Sequence, residues 1–235
     1  MLRVSRKPSG GPEIFHSIQG EGASMGLPAV FMRLAMCNLA CTWCDTRYTW
    51  DFDAFDFDKE VMTIGRDEAA ERILAYKCDR LVITGGEPLL QQKELWPLAA
   101  DMKARGVMCE VETNGTLAPS AEMVGAVAQW NVSPKLASSG NRRERAIVPK
   151  AIQSFLETGR AYFKFVVVTP ADMEEVCGLA KELGIPADRL ILMPEGTSAA
   201  VLVERGRRLA EECARRGFRF STRLHIMLWG DERGR

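Results

Sequence analysis

Residues 29–44 read Ala29-Val-Phe-Met-Arg-Leu34, then Ala35-Met36, then Cys37-Asn-Leu-Ala-Cys41-Thr-Trp-Cys44. The first six form a short apolar run of the kind that makes a buried strand, so the cysteine loop leaves a strand at its C-terminal end. The same plan recurs along the chain. Arg80–Thr84 leads into Gly-Gly-Glu-Pro, Val107–Glu112 into Thr-Asn-Gly, Gln129–Val132 into Ser-Pro-Lys, and Leu190–Met193 into Pro-Glu-Gly, with Tyr162–Val168 as a further strand. Amphipathic stretches at helical spacing lie between them, near 66–76, 93–105, 120–128, 148–157, 171–183 and 199–216. Strand followed by helix, repeated, predicts an α/β fold with a parallel sheet and right-handed crossovers. Roughly six such units make a partial (βα)6 TIM-like barrel, in which the loops after the strands build the site. The unusual loops all fall on that end.

Three cysteines in C-x3-C-x2-C spacing, with no fourth nearby, are one short of the four thiolates that close a cubane iron–sulfur cluster. Three leave one iron open to bind something else, which points to chemistry rather than storage. A structural zinc site needs four protein ligands, and only His16 and His225 are available as histidine donors, so zinc is the weaker reading. The remaining cysteines, Cys78, Cys109, Cys177 and Cys213, read as isolated small hydrophobes rather than a disulfide framework.

A chain of 235 residues is long enough for one well-buried core, so a single domain spanning 1–235 is expected. With 31 basic and 31 acidic residues it has no broad electrostatic footprint for nucleic acid or a membrane surface, and a small-molecule substrate is expected. No stretch approaches the roughly 18 apolar residues of a spanning helix, and the first residues lack a secretory h-region, which predicts a cytoplasmic protein. The stretch 47–65 interleaves Asp51, Asp53, Asp56 and Asp58 with Phe52, Phe55 and Phe57. It fails the EF-hand spacing and reads as a solvated excursion covering the cysteine loop.

C-x3-C-x2-C after a first strand, followed by Gly85-Gly86-Glu87-Pro88 after a second, resembles the radical S-adenosylmethionine (SAM) superfamily. The resemblance implies a [4Fe–4S] cluster held by Cys37, Cys41 and Cys44. It also implies that the amino and carboxylate groups of SAM chelate the open iron, and that electron transfer releases a 5′-deoxyadenosyl radical, chemistry that belongs to the cofactor. Glycines let the backbone approach such a ligand, and the Glu87 carboxylate is suited to accept from the methionyl ammonium. Ser133, Pro134 and Lys135 after the fourth strand offer a hydroxyl and a cation to the same cofactor.

Four further segments narrow the resemblance: Glu13-Ile-Phe-His-Ser-Ile-Gln-Gly-Glu-Gly22, Gly26–Arg33, Trp43-Cys44-Asp45-Thr46 and Val82–Pro88. Together they look like the 7-carboxy-7-deazaguanine synthase family, over about residues 13 to 135. That family contracts a ring of 6-carboxy-5,6,7,8-tetrahydropterin and expels ammonia, a carbon–nitrogen lyase reaction on the way to queuosine and other 7-deazapurines. The resemblance implies hydrogen abstraction from C6, regeneration of SAM, a homodimer, and a flavodoxin- or ferredoxin-type reductant. It places Trp43, Cys44, Asp45, Gly86 and Glu87 at SAM, with Met193, Pro194 and Glu195 at the adenosyl group. Substrate contacts fall to Ile18, Gln19, Gly20, Glu21, Arg33 and Thr84. Arg33 suits a carboxylate or a flat ring, and Glu21 suits guanidine-like nitrogens. Thr46 is implied as the magnesium ligand, with water and substrate oxygens completing the shell. No catalytic residue is expected beyond the cluster and cofactor ligands.

Two alternatives stand beside this reading. Another radical SAM enzyme, such as a glycyl-radical activase, shares the cysteine run but lacks the Gln-Gly-Glu-Gly segment. A non-catalytic iron–sulfur module usually has four cysteines and no need of a small-molecule pocket. The last residues, 223–235, match the family least. His225 sits near its late histidine, and a core histidine is an equal reading there.

Overall fold

The structure is a computed structural model that describes residues 1–234. Its sheet has ten strands: β1 (Leu2–Ser5), β2 (Ile14–Ile18), β3 (Pro28–Leu34), β4 (Val61–Ile64), β5 (Arg80–Gly85), β6 (Met108–Thr113), β7 (Gln129–Val132), β8 (Ala161–Val167), β9 (Leu190–Pro194) and β10 (Arg219–Phe220). Strands β3, β5, β6, β7, β8 and β9 are neighbours in that order and all parallel. These are the six strands expected from the apolar runs. Helices cross between them: α1 (Phe57–Glu60) and α2 (Arg66–Leu74), α3 (Gln92–Ala104), α4 (Ala121–Ala126), α5 (Arg143–Ala146) and α6 (Pro149–Glu157), and α7 (Pro170–Leu183). After β9 come α8 (Ala199–Arg216), the short β10 and α9 (Leu224–Trp229). β10 and β4 are the two ends of the sheet, so the barrel is open, a partial (βα)6 barrel with edge strands added. No described helix is long and apolar enough to cross a membrane.

Strand alternation sorts the core. Val30, Met32, Leu34, Leu81 and Ile83 point outward into one large cluster with the helices, whereas Phe31 and Val82 point inward beside Phe15. Continuing the inward parity gives Arg33, Thr84, Glu110, Glu112, Asn131 and Lys164, so much of the concave face is polar, with Val166 and Met193 as apolar members on β8 and β9. The lower layer of that interior is closed by side chains. Glu110 is fully buried and accepts from the Ser24 hydroxyl at 2.7 Å and the Asn131 amide at 3.1 Å, with an ion pair to Arg80. The upper layer stays open, and there the site lies.

Two parts of the architecture depart from the expected one. The first is the antiparallel β1, β2 and β4, which no long apolar run announces: β2 lies along β3, and β1 joins the end of β3 to β4. The second is the stretch 47–65, which is not simply a solvated excursion. Its last residues are β4, with Val61 and Ile64 buried, and its first place Tyr48, Thr49 and Trp50 in the cavity wall. The acidic residues between serve local structure, Asp51 pairing with Arg47 and Asp56 capping α1 through the Asp58 amide at 3.0 Å. All seven cysteines are free thiols.

Candidate active site

The cysteine loop is held from three directions. At its start, the Gly86 amide donates to Leu34 O at 3.0 Å and the Glu87 amide to Met36 O at 2.8 Å. A Cβ on Gly86 would lie 2.5 Å from the carbonyl carbon of Met36, and one on Gly85, where φ is +131°, 2.7 Å from that of Leu34. Only glycine lets the end of β5 press against the cysteine loop this closely. From the loop after β6, the Asn114 amide group reaches Asn38 Oδ1 at 2.9 Å. From the loop after β7, Ser139 O accepts from the Thr42 amide at 3.0 Å, Asn141 Oδ1 from the Ala40 amide at 3.0 Å, and Arg145 donates to Asn38 O at 3.1 Å.

The three thiols line one cavity of about 420 Å³ at the C-terminal ends of the strands. No three His, Cys, Asp or Glu side chains among the described residues converge as a site for a single metal ion. A cubane cluster asks for something different, three thiols spread around a larger body. Burial pushes the Cys37 thiol up to about 11 and raises Cys41, so the cluster irons would have to displace protons as they bind.

Most of the expected residues share this cavity. Trp43, Cys44, Asp45 and Thr46 line it beside the thiols; Gly86, Ser133, Lys135, Met193 and Glu195 line it along the strand ends; Ile18, Gln19, Gly20, Glu21, Arg33 and Thr84 line it opposite. Lys135 donates to Ser133 Oγ at 2.9 Å and lies 5.5 Å from the centre of the Trp43 ring. The Trp43 ring lines the cavity, while its Nε1 is buried without a partner among the described atoms.

Glu87, Pro134 and Pro194 do not line the cavity. Fully buried, Glu87 accepts from the Leu89 amide at 2.9 Å, the Thr113 hydroxyl at 2.8 Å and the Asn114 amide at 2.7 Å. It ties the loop after β5 to the loop after β6 instead of facing the cofactor. Burial raises its carboxyl, opposed by those three donors.

The far wall carries groups that local motifs do not announce. Glu112 accepts from Gln19 Nε2 at 3.1 Å and from the Thr84 hydroxyl at 2.8 Å. Lys164, 6% exposed, pairs with Glu21, and Arg223, 7% exposed, binds Glu21 Oε1 at 3.0 Å, Gly196 O at 2.8 Å and the Asp45 carboxylate. Burial alone would raise the Glu21 carboxyl, but Lys164 and Arg223 outweigh it and hold it well below the usual carboxylate range. Two cations and two carboxylates thus balance, tying the segment before β3, strand β8, the cysteine loop and the chain end together. Arg223→Met leaves the largely buried Glu21 with Lys164 alone and removes the ion pair to the exposed Asp45, and should lower unfolding stability by about 3 kcal/mol. Thermal denaturation of both proteins without cluster checks it; an unchanged Tm would contradict the assignment.

The segment after β10 packs on the Gly20 part of the cavity wall. Leu224 N donates to Gly20 O at 2.8 Å, and His225 packs so closely on Gly20 that a Cβ there would collide with the imidazole. Burial lowers the His225 pKa, which keeps it neutral near pH 7. Asp231–Gly234 line the cavity, pinned by Arg233, which binds Glu13 Oε2 at 3.0 Å and Glu60 Oε2 at 2.8 Å and lies 3.4 Å over the Tyr48 ring. Arg33 meets the same Glu13 through Nε at 2.8 Å. Arg235 lies outside the described residues.

Residues 34–201 match the family model of the radical SAM superfamily. A 7-carboxy-7-deazaguanine synthase of Pyrobaculum aerophilum is 40% identical over 225 residues, covering 95% of this chain and 96% of its own. The chain belongs to the 7-carboxy-7-deazaguanine synthase family. Another member, from Hyperthermus butylicus, is 37% identical and covers 92% of this chain and 91% of its own. The crystal structure of QueE from Escherichia coli superposes with a TM-score of 0.69 at 26% identity, covering 95% and 94% of the two chains. Membership of the radical SAM superfamily implies a [4Fe–4S] cluster and SAM, and the donors fit both: three thiols line the cavity, and the Lys135 ammonium and Ser133 hydroxyl line it with them. Nothing in the relatives favours an activase or a non-catalytic iron–sulfur module.

Proposed function

We propose that this chain is a carbon–nitrogen lyase that converts 6-carboxy-5,6,7,8-tetrahydropterin into 7-carboxy-7-deazaguanine with loss of ammonia, for queuosine or another 7-deazapurine. One observation carries the reading: the three-cysteine loop and residues 18–21 line a single cavity. A radical source and a reader for a flat, carboxylated heterocycle are thereby within one enclosure.

Cys37, Cys41 and Cys44 would hold three irons of the cluster. Cluster and SAM, when bound, supply a primary carbon radical that abstracts hydrogen. What the chain supplies is placement. Lys135, Ser133 and Trp43 receive the polar parts of SAM, and Met193 and Glu195 flank its adenosyl end. Arg33 remains charged, because Glu13 and Tyr48 outweigh its burial, and offers its planar fork to the substrate carboxylate. Gln19 and Glu112 are joined by a hydrogen bond, and each Glu112 oxygen takes one neutral donor, Gln19 or Thr84, which leaves the second Gln19 amide hydrogen and further Glu112 lone pairs for the donor and acceptor edge of the pterin. Glu21 was expected to accept from the substrate directly, but Lys164 and Arg223 already bind its two oxygens, which suits it to orient those cations. For magnesium the chain offers the Thr46 hydroxyl, 3.6 Å from Cys44 Sγ, so that ion fits only with substrate oxygens and water completing its shell.

Residues 1–235 form one domain in this reading, in the cytoplasm, with a flavodoxin- or ferredoxin-type protein as electron donor. A homodimer is also part of it, supported by the exposed apolar side chains Met227, Leu228 and Trp229 of α9. Protein reconstituted without oxygen and given reductant, SAM, magnesium and the carboxytetrahydropterin should yield the deazaguanine acid, read by mass spectrometry. No turnover from a demonstrably cluster-loaded sample would sink the specific substrate while leaving the family assignment intact.

A further inference from the structure

Each cluster cysteine faces a nitrogen donor from a different part of the chain. Trp50 Nε1 donates to Cys44 Sγ at 3.3 Å, Asn141 Nδ2 to Cys41 Sγ at 3.2 Å, and Asn114 Nδ2 approaches Cys37 Sγ at 4.0 Å. The direction of the asparagine contacts is forced by chemistry. Asn141 Oδ1 accepts from the Ala40 amide and Asn114 Oδ1 from the Thr116 amide at 3.0 Å, and a backbone N–H can only donate. The side-chain nitrogen of each must therefore turn toward sulfur, and an indole has nothing but an N–H to offer. Asn141 Nδ2 also donates to Ser139 Oγ at 3.1 Å, and its two hydrogens serve the two acceptors; Asn114 is the weakest of the three, since its nitrogen lies 4.0 Å from sulfur and only 2.9 Å from Asn38 Oδ1.

We propose that Trp50 and Asn141 are positioning residues that set the reduction potential of the cluster. The inference rests on the reading of Cys37, Cys41 and Cys44 as its ligands. The cluster takes up one electron from a one-electron reductant and releases no proton, so its charge becomes more negative by one. An N–H aimed at a ligating sulfur stabilises the more negative state more, and so raises the potential. Neither side chain is needed to ligate iron. Asn141 has in addition the clamp on the Ala40 amide, whereas Trp50 reaches Cys44 from the turn that follows the cysteine loop, where its amide donates to Arg47 O at 3.0 Å.

Trp50→Phe keeps the ring and removes only the donor; Asn141→Ala removes donor and clamp together. Both proteins and wild type are reconstituted without oxygen, their iron content measured, and the cluster titrated by EPR against ambient potential, with neither SAM nor substrate present. At wild-type iron content, each variant should show its reduced-to-oxidised ratio at fixed potential fall about tenfold, a shift of about 59 mV to more negative values for one electron. The double variant should shift further than either. An unchanged potential at wild-type iron content overturns the assignment. So does loss of iron from both variants, which would make Trp50 and Asn141 residues of cluster assembly. Because no substrate is present, the titration stands apart from the pterin reading, and a wild-type protein that takes up no cluster would instead overturn the reading of the cysteines.

Discussion

Cys41→Ala protein takes up no stable [4Fe–4S] cluster, shows no cluster absorbance in the visible range, and turns over no substrate. The expectation follows from the ligand count, since three thiols already leave one iron without a protein ligand and two leave half the irons bare. The loop itself should survive the substitution. Its backbone is held by the Thr42 amide on Ser139 O, the Ala40 amide on Asn141 and Arg145 on Asn38 O, none of which uses the Cys41 side chain. Far-ultraviolet circular dichroism of the variant should therefore match that of wild-type protein prepared without cluster. Turnover by Cys41→Ala would contradict the radical mechanism outright.

Gly86→Ala should come close to the same loss by a different route. Its new Cβ meets the carbonyl group of Met36, backbone against backbone, so no side-chain rotation relieves the contact and the cysteine loop must move. Overpacking of this kind costs about 1–3 kcal/mol, and here the displacement falls on the residue next to Cys37. Iron uptake should drop severely, and the Tm of the cluster-free protein should fall as well. Gly125→Ala is the internal control: nothing lies within 4 Å of a Cβ there, and near the end of α4 alanine is tolerated at least as well as glycine. Equal iron content in both variants would show that the end of β5 does not shape the cysteine loop.

The parallel strands were legible because strands covered on both faces read as near-continuous apolar runs, and Leu81, Val82 and Ile83 are all fully buried. β1, β2 and β4 were not, because they are antiparallel additions outside the repeating strand–helix pattern, and only tertiary structure supplies their pairing with β3 and with one another. Val61 and Ile64 were hidden behind the acidic and aromatic residues before them. The cofactor end of the site was legible for a related reason: ligands three and four residues apart, and a Gly-Gly where backbones touch, are local facts. The far wall depends on long-range pairing. Glu21 finds Lys164 and Arg223 more than a hundred residues away, and no spacing rule connects them. A signal for part of it did exist, since Lys164 interrupts the apolar Tyr-Phe-Lys-Phe-Val and Glu112 follows Glu110 at the strand period, both marks of a sheet face turned to a polar interior. Glu87 shows the opposite case, a residue inside a cofactor motif whose carboxylate is spent on joining two loops.

In the proposed reaction this cavity places C6 of a carboxylated tetrahydropterin within reach of the radical generated beside Cys37, Cys41 and Cys44. Substrate carrying deuterium at C6 tests it most directly, with recovered SAM analysed by mass spectrometry after turnover without oxygen. Deuterium is expected at the 5′ carbon of SAM, accumulating over successive turnovers. Product formed from labelled substrate with no deuterium in SAM or in 5′-deoxyadenosine would contradict it.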